Sequence, residues 1–174
     1  YLSVDTEGKI RSLVDQLKAQ NEVSFDTETT GIDANNADLV GLSFSWKAAE
    51  GYFVPVPADR EQTKKILSFF RPLFEDPKRI WVGHNIKYDL LVLKWYDIEI
   101  SGTLFDTMLA HYVVELEGKR NMDLLSEQYL QYEPVHIEEL IGKKGKGQGN
   151  MRDVELDKIT EYAAEDADIT WQLK

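Results

Sequence analysis

The chain has no cysteine among its 174 residues, which excludes disulfides, thiolate metal sites and cysteine nucleophiles together. Long apolar runs are missing too. No stretch approaches the roughly 18 apolar residues that a membrane span needs, and the N-terminal segment lacks the basic-then-apolar pattern of a secretory signal. Histidine is scarce, and His84, His111 and His136 are scattered without the spacing of a zinc site. There is no GxGxxG, no P-loop, no nucleophile elbow and no internal repeat. Positive charge is also short. Against 31 Asp and Glu stand 20 Lys and Arg, a net charge of −11. Such a balance argues against tight nonspecific binding to nucleic acid, because phosphate contacts need cations. Such binding becomes less unfavourable where several carboxylates hold divalent ions, which add positive charge where a phosphate must sit.

What is present describes an ordinary globular domain, with 43% apolar and 29% charged residues. The length suits one domain, residues 1–174, with a substantial core. Opening at Tyr1 and stopping within a helical pattern, it reads as a domain excised from a larger chain. A reducing cytoplasm is the simplest home, with no membrane partner.

Periodicity divides the chain into strands followed by helices. Ile10, Leu13, Val14 and Leu17 repeat at helical spacing within residues 5–20. Glu22 to Asp26 alternates as a strand, and Thr29-Thr30-Gly31 signals a turn. Leu39 to Trp46 and Gly51 to Pro55 read as two further strands, Glu61 to Glu75 as a helix, and Arg79 to Val82 as a short buried strand. Helices are expected over Asn85–Tyr96, Thr107–Val114, Met122–Leu130, Ile137–Ile141 and Glu155–Leu173. Gly142 to Asn150 holds four glycines and no apolar residue, the composition of a mobile loop. Its Lys143, Lys144 and Lys146 are equally suited to a nucleic-acid backbone and to solvent. Trp46, Trp81, Trp95 and Trp171 fall at apolar positions, where core packing is the expectation, and ordinary helix packing is the expectation for His111. An α/β or α+β layer architecture follows.

Three acidic motifs carry the chemistry. Hard divalent cations take oxygen ligands, so the question is which carboxylates converge. Asp26 and Glu28 are two residues apart in a strand and project to one side. Asp-x-Glu also occurs at Asp5, Asp97 and Asp153, but only Asp26 follows a Val-Ser-Phe strand expected to be central. The alternative for this pair is a turn cap before Gly31. His84-Asn85-Ile86-Lys87-Tyr88-Asp89 follows the short buried strand. With Asn85 as helix N-cap, Asp89 falls in the second turn and leans back toward the strand ends; an exposed Asp89 is the even alternative. In the last helix Tyr162 and Asp166 share a face at i and i+4, and Ala163 and Ala164 leave room for close approach. Glu165 and Asp168 are expected to point into solvent.

In this order the motifs resemble the DEDD exonuclease superfamily. More narrowly they are similar to the 3′–5′ proofreading domain of bacterial, family A DNA polymerase I, of the tyrosine subclass. Phe25-Asp26-Thr27-Glu28-Thr29, His84 to Asp89 and Tyr162 to Asp168 match its three motifs. The likeness extends to Phe105-Asp106-Thr107-Met108-Leu109 and to Ile137 to Gly142. It implies an α/β, RNase H-like fold with a mixed five-stranded sheet flanked by helices. It implies four metal-site carboxylates, Asp26, Glu28, Asp89 and Asp166, holding two divalent cations, Mg²⁺ with Mn²⁺ or Zn²⁺ as alternatives. Tyr162 would orient the attacking water. Ile32, His84, Asn85, Tyr88 and Ile137 would touch the substrate, although Ile137 stands where the family has phenylalanine. The implied partners are a single-stranded or frayed 3′ DNA end and a polymerase domain in the same chain. The implied reaction releases nucleoside 5′-monophosphates. An RNase D-type 3′–5′ exoribonuclease and an inactive, strand-holding module are the alternatives.

Overall fold

Alternation along Glu22–Thr29 sorts one strand's side chains onto two faces of a sheet, and the rest of the molecule follows from what covers each face. Residues 1–174 are described by the computed structural model. The elements are β1 (Leu2–Ser3), α1 (Glu7–Lys18), β2 (Glu22–Thr29), β3 (Leu39–Lys47), β4 (Glu50–Pro55), α2 (Arg60–Phe74), β5 (Ile80–Gly83) and α3 (Lys87–Lys94). They continue with β6 (Thr103–Asp106), α4 (Thr107–Val114), α5 (Met122–Leu125), α6 (Ile137–Ile141) and α7 (Leu156–Gln172). A π-helical turn (Ser126–Leu130) follows α5, and a 3₁₀ turn (Met151–Asp153) precedes α7.

The sheet order is β1-β4-β3-β2-β5-β6. β2 pairs antiparallel with β3 and parallel with β5, so the sheet is mixed and β2 is central, as the motif argument required. Six strands stand where five were expected. β1 contributes only Leu2 and Ser3 beside Tyr52 and Phe53, too short to leave an alternating pattern. β6 was not legible either. Its four residues carry no alternation, and parallel pairing with β5 creates the strand.

On one face Val23 and Phe25 of β2 meet α1 and α2 in the main core, which also takes in Phe44, Trp81 and Leu93. Phe25, Phe74 and Trp81 pack ring against ring at centroid distances of 5.4, 4.8 and 5.4 Å. Truncating any of the three costs about 3–5 kcal/mol, because the cavity left behind collapses only in part. α1 starts at Thr6, whose side chain accepts from the Lys9 N–H, and α2 starts at Asp59, which accepts from the Gln62 N–H.

The other face is built for close approach by α7. Ser24, Ser43 and Ser45 are fully buried, and Ala163, Ala164 and Ala167 are buried on the helix. The Ser24 hydroxyl donates to the Ala167 carbonyl at 2.6 Å. A Cβ at Gly51 would come within 2.4 Å of the Ala164 carbonyl oxygen, so only glycine admits the helix at this distance. A small second core of Val40, Phe53, Met151, Ile159 and Ala163 seals the far end of α7.

Two expectations about side chains fail. Glu165 and Asp168 are buried rather than solvated. Glu165 accepts from the Tyr132 hydroxyl and, at 2.7 Å, from the Val135 N–H. Asp168 accepts from the Tyr1 hydroxyl at 2.8 Å and from the Ala49 N–H. Helical spacing alone hid this, because α7 is covered on more than one side. Trp81 is fully buried, but Trp95 is half-exposed at the C-terminal end of α3, so the core reading fails there.

Candidate active site

β2 delivers Asp26 and Glu28 to the α7 side of the sheet, and α7 delivers Asp166 to meet them. One carboxylate oxygen from each of the three lies within 4.8 Å of the others. The β2–β3 register shifts between Glu28 and Thr29, a local irregularity that re-aims side chains at the edge of the site. Asp89 arrives from α3 and is fixed by Thr27, whose N–H and hydroxyl donate to the same Asp89 oxygen at 3.0 and 2.6 Å. Thr27 is thus a residue that motif reading passed over, although it lies between the two acids.

Asn85 does not cap α3. It sits at φ +61°, in the left-handed region, and the helix begins two residues later, at Lys87. Asp106 does the capping from β6. One of its oxygens accepts from the Asn85 N–H at 3.1 Å and the other from the Ile86 N–H at 3.0 Å. The first oxygen also accepts from the Met108 and Leu109 N–H groups of α4. The same carboxylate therefore orients two helices. Asp106 stands directly before the Thr107–Val114 helix, so its role at α4 is readable from the sequence, whereas its hold on α3 is not.

The electrostatics are those of crowded acids. Burial pushes Asp26 up to about 7, partly offset by the backbone N–H of Thr27. Some of its surface remains open to solvent. Burial and then repulsion by Asp26 and Asp89 hold Glu28 well above the carboxylate range. Asp166 is raised by burial and by Asp26 and Glu28. Asp89 is raised by burial and by Asp26, against the pull of its bonds from Thr27. Tyr162 is pushed well above its ordinary value by burial and by the neighbouring Asp166, Glu28 and Asp26. Its phenol therefore keeps its proton.

The donor set fits a hard divalent cation. Three acceptor-only oxygens converge, and Glu28 Oε1 is buried without any hydrogen-bond partner. An unmet buried acceptor costs about 1–3 kcal/mol, and a cation coordinated by oxygen ligands removes that cost.

A cleft of about 640 Å³ opens from Glu28. Its walls include Ile32, Asn85, Tyr88 and Ile137, which the structure thus brings together. Tyr88 is fixed through its hydroxyl, which bonds to Thr29 and donates to the Gly31 carbonyl, both at 2.6 Å. His84 stands apart from this wall. Its ring nitrogens bond the Thr107 hydroxyl at 2.8 Å and the Arg120 carbonyl at 2.9 Å, tying β5 to α4 and the segment beyond. Lys144, Gln148 and Asn150 of the glycine-rich loop also face the cleft, and Lys144 is its only lining cation. Composition alone could not tell this lysine from its neighbours.

The profile of the 3′–5′ exonuclease family matches residues 1–174. DNA polymerase I of Borreliella burgdorferi is 35% identical over 99% of the chain, and that of Pseudomonas aeruginosa 38% over 91%. The chain spans 19% and 18% of those two relatives, about a fifth of their length. Among solved structures, Brucella melitensis NrnC superposes at a TM-score of 0.73 with 16% identity, over 98% of this chain and 75% of that one. The catalytic core of RRP6 from Trypanosoma brucei gives 0.72 with 18% identity, over 98% of this chain and 44% of that one. The POL domain of Pol1 from M. smegmatis gives 0.73 at 15% identity, covering 99% of this chain and 26% of that one. On its full-length profile match and its relatives, this chain belongs to the 3′–5′ exonuclease family.

Proposed function

We propose that the chain hydrolyses the terminal phosphodiester at the 3′ end of a DNA strand, releasing nucleoside 5′-monophosphates, as the proofreading part of a longer polymerase polypeptide. The observation that carries this reading is the meeting of Asp26, Glu28 and Asp166 from opposite ends of the chain. Asp26, Glu28 and Asp166 would hold one divalent cation, and Asp26 with Asp89 would hold a second. Such ions acidify a bound water and stabilise charge on the leaving oxygen.

The chain's own groups do the positioning. Tyr162 keeps its proton, so it orients the attacking water by hydrogen bonding rather than accepting a proton from it. Thr27 locks Asp89 in place and frees its second oxygen for the site. Ile32 and Ile137 offer apolar surface to terminal bases, Tyr88 and Asn85 flank the terminal nucleotides, and His84, bonded to Thr107 and Arg120, holds the chain just before Asn85. The paucity of cations in the cleft keeps grip weak, which suits an enzyme that must release each shortened strand.

The deciding assay uses single-stranded DNA labelled at its 5′ end, with Mg²⁺ or Mn²⁺, beside Asp26→Ala. A ladder shortening from the unlabelled end, absent in the variant, is expected. A ladder that persists in the variant would overturn the assignment. The structural likeness to NrnC, also solved bound to pGG, and to RRP6 supports a second reading, an RNase D-type trimming of RNA. Matched DNA and RNA oligonucleotides separate the two by their relative kcat/KM. A strand-holding module without activity need not bind Mn²⁺ at Asp26, which a metal titration reads.

A further inference from the structure

α4 is thinly covered, with Thr107 its one buried residue. It lies beyond β6, the edge strand, whose outer side pairs with nothing. Val113 and Val114 are 79% and 83% exposed, and Leu109, Tyr112 and Leu116 are open beside them. Apolar surface gathered in one place carries a hydration cost that scattered exposed residues do not, and it marks a contact surface. Beside it lies a cavity of about 350 Å³ lined mainly by apolar side chains, among them Ala110, Val114, Leu125 and Leu130.

A second observation points to an occupant. His111, on the same helix, also lines the cavity, and its side chain is only 8% exposed. Neither ring nitrogen has a hydrogen-bond partner. Glu115 stands 3.5 Å from Nε2 without forming one. A buried imidazole with both nitrogens unmet is unfavourable until a donor or acceptor is supplied from outside.

We propose that the outer face of α4 and this cavity form the docking surface for the polymerase portion of the full-length polypeptide. The relatives are about five times as long as this chain, and the same fold occupies 26% of a chain described as a POL domain. Leu173 and Lys174 line the cavity, so any segment continuing from them would start at this face. The occupant supplies an apolar side chain for the cavity and a polar group for His111. This rests on the reading of the chain as part of a polymerase, and not on its nuclease activity.

The test is hydrogen exchange on the full-length polypeptide and on the 174-residue chain. Amides of residues 109–116 are expected to exchange at least about tenfold more slowly in the full-length protein. Leu109→Asp with Val113→Asp should remove that protection and lower the Tm of the full-length protein. The short chain's Tm and its nuclease rate should stay unchanged. Equal exchange at both lengths, or protection that survives the substitutions, overturns the proposal. So does a dimer of the short chain in light scattering that the same substitutions dissociate, since the occupant would then be a second copy.

Discussion

At the scale of single residues, the site is a set of like charges held together by neighbours that have nothing to gain from their proximity. The charge of Asp26 raises the proton affinity of Glu28, Asp89 and Asp166, and Glu28 keeps an oxygen without a partner. Removing one charge therefore relieves the others. Asp26→Ala is expected to lower the hydrolysis rate by about 10²–10⁴-fold while leaving the metal-free Tm unchanged or higher. A calorimetric loss of several degrees would instead make Asp26 a structural residue. Tyr162→Phe should reduce kcat by about tenfold with little change in KM, as befits loss of one orienting hydroxyl. At this scale much was legible, because acids at fixed spacing in strand and helix mark themselves. The roles of Thr27 and Glu165, and the hold of Asp106 on α3, were not, since each acts through a partner 62, 33 or 21 residues away.

Among elements, the decisive device is Asp106, which holds the starts of α3 and α4 with one carboxylate. An ordinary N-cap is worth about 0.5–2 kcal/mol. Asp106→Ala loses two such sets and should cost roughly 1–4 kcal/mol, or several degrees in Tm. Activity should fall as well, because α3 carries Asp89; thermal melting beside the ladder assay reads both effects. Glu165 links α7 to the segment before α6, which carries Ile137. Tyr132→Phe is expected to raise KM for oligonucleotides several-fold with kcat nearly kept, and an unchanged KM would argue that the link is only structural. Helices with a clear apolar stripe, α1 and α2, were readable from spacing. The start of α3 was misread because Asn85 resembles a cap by composition, while the real one comes from another strand. β1 and β6 escaped because two or four residues cannot display a period, and pairing alone defines them.

For the whole molecule, acidity and stability are linked through the same cluster. Asp26 binds its proton more tightly folded than unfolded, moving from 3.8 to about 7. Glu28, Asp89 and Asp166 shift in the same direction. Between those values the folded state holds more protons, so stability falls as pH rises. The contribution of Asp26 is complete below about 4 and is lost as pH passes through about 7, and the other three act in the same sense. In EDTA the Tm should thus be higher at pH 5.5 than at pH 8, apart from the titration of other groups. Mg²⁺ should raise it more at pH 8, where the ligands are ionised; differential scanning at the two pH values checks both. A larger Mg²⁺ effect at the lower pH would place the cation elsewhere. The net charge of −11 was readable at once. What it could not reveal is that part of the excess is gathered in one pocket.

The hydroxyl of Ser24 reaches the carbonyl of Ala167 across 143 positions of sequence, and Asp166 travels with that helix. During synthesis, Asp26, Glu28 and Asp89 emerge from the ribosome long before the final helix exists. On the proposed reading a half-made chain lacks Asp166, so cutting would begin only once α7 has packed onto the sheet. The same closure makes folding slow to nucleate from local contacts alone. Loss of this one segment would accordingly remove Asp166 and strip the cover from one face of the sheet.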